Sequence, residues 1–205
     1  MKKLVLSALA VCALSGSAFA QQEVKFGPKA GVNFANLSNL DDSEMKTGFH
    51  VGAVAEIKFN DKFSIQPELL YSAQGAKSSY SFLGQNIENT LSLDYINIPI
   101  MAKYYIVDGF SVEAGPQVGF LTKAELEGTF GNLTGTTDIK DNVKSVDFGV
   151  NFGLAYDLPN GFFVNARYNL GLAKLGDSEN SPNNVSSLLK DSKNSVIQVG
   201  VGYKF

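Results

Sequence analysis

VDFGVNFGLAYDLPNGFFVNARYNLG, residues 146–171, is the stretch whose reading decides the fold. Val146, Phe148, Val150, Phe152, Leu154 and Tyr156 alternate with Asp147, Gly149, Asn151, Gly153 and Ala155. A period of two gives a strand one apolar face and one polar face. Pro159, Asn160 and Gly161 then supply turn chemistry. Beyond the turn, Phe162, Val164, Ala166, Tyr168 and Leu170 alternate with Asn165, Arg167, Asn169 and Gly171. Two strands of about ten residues on a tight turn form an antiparallel pair.

The same pattern extends in both directions. It predicts strands near 25–36, 47–59, 63–75, 91–106, 110–120 and 144–157, followed by 162–171 and a last one ending at Phe205. Along the fourth, Leu91, Leu93 and Tyr95 share one parity while Ile96, Ile98, Ile100, Ala102 and Tyr104 share the other, which predicts a β-bulge at Tyr95–Ile96. Connections near Asn60, Asp108 and Asn160 are short; those over 37–46, 77–90, 123–143 and 176–194 are long and polar. Short turns at one end and long loops at the other describe a closed all-β, antiparallel, up-and-down transmembrane barrel of about eight strands, with both termini on the periplasmic side of an outer membrane.

Face composition separates this barrel from a soluble one. The apolar faces carry no charge, whereas the polar faces hold mainly Gly, Asn, Gln and Ser, which suit a narrow lumen filled by side chains. A soluble periplasmic ligand-binding barrel, the third reading, would present more Lys and Glu outward. Phe59, Phe63, Tyr104, Phe110, Tyr156, Phe162, Tyr203 and Phe205 cluster beside the short turns, and Tyr71, Phe120, Phe148 and Tyr168 sit at the far strand ends. Two aromatic belts of this kind mark the two membrane interfaces. Outer-membrane lipid is therefore the expected surroundings.

Residues 1–20 carry Lys2 and Lys3, an apolar run from Leu4 to Leu14, and small residues at Ala18 and Ala20. This predicts a signal peptide cleaved before Gln21 and a barrel domain over 21–205. The one cysteine, Cys12, lies in that segment, so the exported chain would have no thiol chemistry. Net charge is −3, becoming −5 without Lys2 and Lys3, and offers no basic surface for nucleic acid.

The terminal VGVGYKF (199–205), with Val199, Val201, Tyr203 and Phe205 in alternation, resembles the C-terminal signal that outer-membrane barrels present to the barrel-assembly machinery. Together with GVNF (31–34), QPELLYS (66–72), YINIP (95–99) and EAGPQ (113–117), it makes the chain similar to the PorT-like "porin family" of outer-membrane barrel domains. The resemblance covers 24–205 and implies fold and compartment, not one activity. Pro67, Pro99 and Pro116 fall within predicted strands, where each removes a ladder donor; bulges are the expected accommodation.

Glu56, Glu68, Lys103, Glu113 and Arg167, the sole arginine, all fall on lumen faces at comparable heights. They predict an ion network that plugs the barrel. His50, the sole histidine, also faces inward, so an outer-membrane hydrolase is conceivable, yet no nucleophile motif accompanies it. Asp41, Asp42, Ser43 and Glu44 are acidic but lack a calcium-loop pattern, and no metal or cofactor is expected. The leading expectation is a non-enzymatic scaffold or loop-mediated binding protein whose extracellular partner the residues do not identify. A small-solute channel is the alternative.

Overall fold

The computed structural model describes residues 23–38, 43–82, 85–130, 133–176, 189 and 191–205. Its strands are β1 (Glu23–Ser38), β2 (Glu44–Asn60), β3 (Phe63–Phe82), β4 (Gln85–Val107), β5 (Phe110–Phe130), β6 (Leu133–Asp138), β7 (Val146–Asp157), β8 (Phe162–Gly171) and β9 (Lys193–Tyr203). Eight of them close a ring of antiparallel neighbours, β1–β2–β3–β4–β5–β7–β8–β9, with β9 returning to β1. β6 lies off the ring and pairs along its described length with β5. The tight turns contain Gly109 and Gly161 at φ 77° and 91°, the left-handed backbone that glycine adopts without strain.

Alternation is as expected through most of the ring. Outward positions are apolar and exposed, among them Val32, Phe49, Ile98, Ile100, Phe152, Leu154, Val164 and Val199, while inward positions are buried and mostly polar. Neighbouring rings at the turn end pack together: Phe59 on Phe63 at 5.8 Å, Phe162 on Tyr203 at 5.0 Å, and Phe26 on Phe205 at 4.9 Å.

β3, β4 and β5 run far beyond the lengths that the sequence pattern predicts, whereas β1 and β2 gain only a few residues. The stretches 77–90 and 123–143, expected as loops, contain the upper parts of β3, β4 and β5 together with β6. Lys77, Ser79, Lys123, Thr134, Thr136 and Thr137 read as loop because they lie exposed to water on a protruding sheet.

The phase change on β4 has a different cause from the expected bulge. Leu91, Leu93, Tyr95, Asn97, Met101, Lys103 and Tyr105 are all buried and of one parity, so β4 runs unbroken and the medium on each side inverts instead. From Ile96 downward the outside is apolar and the inside polar; from Asp94 upward the reverse holds. The irregularity lies on the partner strand: Asp94 pairs with Lys123 but Tyr95 with Leu121, leaving Thr122 as the extra residue.

The prolines are not accommodated by bulges either. Register is identical on both sides of three gaps in the ladder, between Val54/Glu68 and Ile57/Ile65, between Pro67/Ile100 and Leu70/Asn97, and between Pro99/Gln117 and Ala102/Ala114. Pro67, Pro99 and Pro116 each lie inside one gap, that with the preceding strand, where the missing N–H removes bonds without inserting a residue.

Candidate functional site

The lumen is filled by layers of side chains. Nearest the turn end, the Lys103 ammonium pairs with Asp157 at 3.1 Å and Glu56 at 3.5 Å. The Lys204 ammonium pairs with the same two carboxylates, at 2.8 and 2.5 Å. The Tyr105 hydroxyl lies between them, 2.6 Å from Asp157 and hydrogen-bonded to Glu56, and Ser64 donates to Glu56 at 2.6 Å.

One layer higher, Arg167 donates through Nη1 and Nη2 to both oxygens of Glu68, at 2.9 and 2.8 Å, and through Nε to Glu113 at 2.7 Å. This bidentate fork is the geometry that makes arginine–carboxylate pairs strong and directional. Lys29 donates to Glu68 at 3.1 Å. Gln66 joins the layers, donating to Glu68 at 2.7 Å and accepting from Lys103 at 3.4 Å.

Four cations (Lys29, Lys103, Arg167, Lys204) face four carboxylates (Glu56, Glu68, Glu113, Asp157), so the two layers carry no net charge. Balance of this kind is what permits so many charges to be buried, since an unpaired one would cost several kcal/mol.

Of the residues singled out by sequence, Arg167, Glu68 and Glu113 meet directly and Lys103 meets Glu56; Gln66, which sequence does not single out, links the two groups. Lys29, Lys204, Asp157 and Tyr105 belong to the network but were not singled out. Lys29 and Lys204 lie on the polar parity of the first and last strands, which was the available signal. Their closeness depends on ring closure through β1–β9, which no local pattern conveys.

Above the ions sits an amide layer. The Asn33 amide donates to the carbonyls of Phe49 and Ala73 and to Ser72, at 3.0, 2.9 and 3.0 Å, and its oxygen lies 2.8 Å from His50 Nδ1. Asn169 donates to Asn151, and Asn151 to Gln117. The loop end is closed by an apolar cluster of Leu37, Leu91, Leu93, Leu121, Ile139 and Leu175 with their neighbours. At the turn end a vestibule of about 590 Å³ opens over the lower ion layer, lined by Lys58, Tyr105, Asp157 and Lys204 among others.

No cluster of His, Cys, Asp and Glu suited to a metal occurs among the described residues. Glu44 accepts from Ser79 at 2.9 Å on the surface; Asp41 and Asp42 lie outside the described residues, as do Ala18, Ala20 and Cys12. Val199, Val201, Tyr203 and Phe205 all point outward into the apolar belt.

The sequence model of the "Outer membrane protein beta-barrel domain" family matches residues 19–177. The chain belongs to this family. It resides in the outer membrane, its apolar belt in lipid. Its ring resembles that of Ail, the attachment invasion locus protein of Yersinia pestis, with a TM-score of 0.51 at 13% identity over 89% of this chain and 99% of that one. A second structure of Ail, in complex with the heparin analogue sucrose octasulfate, gives 0.50 at the same identity and coverage. Neisserial surface protein A gives 0.49 at 15% identity, again over 89% and 99%. No curated protein sequence matches the chain.

Proposed function

We propose that this outer-membrane barrel is a non-enzymatic scaffold with a closed lumen, whose protruding sheet and loops offer a binding surface outside the cell. The observation that carries this reading is the central ion layer: the side chains of Lys29, Glu68, Arg167 and Glu113 leave 0–1% of their surface accessible. A continuous water path through that layer would wet them. The apolar cluster at the loop end is a second seal.

Reconstitution into planar bilayers is the test. Electrical silence is the expected outcome, and steady unitary currents overturn the reading. The alternative, a small-solute channel, rests on the vestibule, which here ends blind on Glu56, Tyr105 and Lys204. A hydrolase centred on His50 finds little support, because the ring is 1% exposed and its Nε2 meets no hydroxyl or thiol.

Three further readings accompany this one. Residues 1–20 act as a signal peptide cleaved after Ala20, leaving 21–205 as one barrel domain. The outward alternation of Val199, Val201, Tyr203 and Phe205 serves the barrel-assembly machinery during biogenesis. In the stretches GVNF, QPELLYS, YINIP and EAGPQ the chain resembles the PorT-like "porin family" of outer-membrane barrels, and it is read here as similar to them.

A further inference from the structure

Asn165, Gly200, Gly31 and His50 form one continuous row across four staves, Asn165 paired with Gly200, Gly200 with Gly31, and Gly31 with His50. The two inner members have no side chains, so the two outer ones lean toward each other over a bare backbone floor. A point one bond above the Gly200 Cα lies 2.8 Å from Asn165 Oδ1, 3.0 Å from His50 Nε2 and 3.1 Å from Lys29 Cε. Asn165 and His50 are 4% and 1% exposed. Yet His50 Nε2 and both polar atoms of the Asn165 amide have no hydrogen-bond partner in the protein.

The state of the imidazole follows from its other nitrogen. Asn33 Nδ2 donates to two backbone carbonyls, which can only accept, so Asn33 Oδ1 is the acceptor facing His50 Nδ1. Nδ1 therefore holds the proton, and in the neutral ring Nε2 is a bare acceptor. An imidazolium would add an unbalanced charge beside layers whose cations and carboxylates already cancel. The same balance argues against an ion between Asn165 and His50.

We infer that one water molecule is held in this glycine-floored cradle, donating to His50 Nε2 and bonded to the Asn165 amide. Buried orphan polar atoms are ordinarily satisfied by ordered water where there is space for it. The Asn165 amide, having both a donor and an acceptor free, serves in either orientation. Gly200 is then required because a side chain there would occupy the water's approach.

Magnetic resonance on the intact barrel in detergent micelles or lipid tests this, by cross-relaxation between the His50 ring protons and water. A contact with a long-lived water is expected in the native protein; its absence overturns the inference. Two substitutions give a separate measure. Gly200→Ala and Gly200→Ser impose the same Cβ, but the serine hydroxyl can stand in for the evicted water. Gly200→Ser should therefore show an unfolding equilibrium constant about tenfold smaller than Gly200→Ala, the scale of one buried unsatisfied group. Equal constants for the two variants overturn the water site, because only crowding would then be at work. Bilayer currents do not enter either readout, so this inference and the closed-lumen proposal fail separately.

Discussion

The two ends of the lumen are built from opposite materials. At the turn end, charged groups from β1, β2, β3, β4, β5, β7 and β8, with Lys204 just past β9, fill the axis, and the outside is a belt of Phe, Tyr, Ile, Leu and Val. At the loop end, Leu37, Leu91, Leu93 and Leu121 fill the axis, while Ser92, Asp94, Thr122 and Lys123 cover the outside. The first arrangement answers to lipid and the second to water. The boundary between the media therefore crosses β4 at Asp94–Ile96, within one unbroken strand. A single chain thus carries a membrane protein and, continuous with it, the inside-out pattern of a soluble β structure.

The largest expected effect tests the ionic end. Arg167→Ala leaves Glu68 and Glu113 buried without their shared cation, and breaking a buried network on one side costs about 3–5 kcal/mol. Gel mobility of the folded and unfolded forms across a urea series, suited to a chain that lacks tryptophan, reads this directly. An unchanged midpoint would mean that the layer contributes nothing to holding the ring together.

The apolar end should respond differently to an equally buried lesion. Leu93 is 0% exposed, and Leu93→Ala should cost about 3 kcal/mol, within the usual span for a core leucine. The loss should be local. Hydrogen exchange is expected to rise in the upper parts of β3, β4 and β5 while the lower ladder keeps its protection. Uniform loss around the ring would show that the two ends are one cooperative unit.

How far the sequence foretold these ends follows the same division. Where the outside is lipid, each strand shows strict apolar alternation, and β1, β2, β7, β8 and β9 were legible to within a few residues. Arg167, Glu68, Glu113, Lys103 and Glu56 were placed inward by parity alone. Where the outside is water, Ser78, Ser79, Asn89 and Thr90 have no apolar outward partners, and strands read as loops. Leu91 and Leu93 read as lipid-facing because an apolar residue on a membrane strand normally faces out. The prolines stayed opaque for another reason: a gap in a ladder is a property of two strands, and periodicity describes one.

A matched pair of charge insertions, expected to have the smallest effects, locates the boundary most sharply. Ile100 lies midway between the girdle residue Tyr104 and Ile96, outward and 48% exposed. A lysine on the lipid face near mid-depth costs about 2–3 kcal/mol, less toward the interfaces. Ser92 is also on β4 and of the same outward parity, eight residues nearer the loop end. If water covers that height, Ser92→Lys should change stability by no more than about 0.5 kcal/mol, as for other exposed surface substitutions. Folding into lipid vesicles across a urea series measures both. A penalty for Ser92→Lys comparable to that for Ile100→Lys would move the lipid up past Asp94, and Leu91, Leu93 and Tyr95 would then form an apolar core inside the membrane rather than above it.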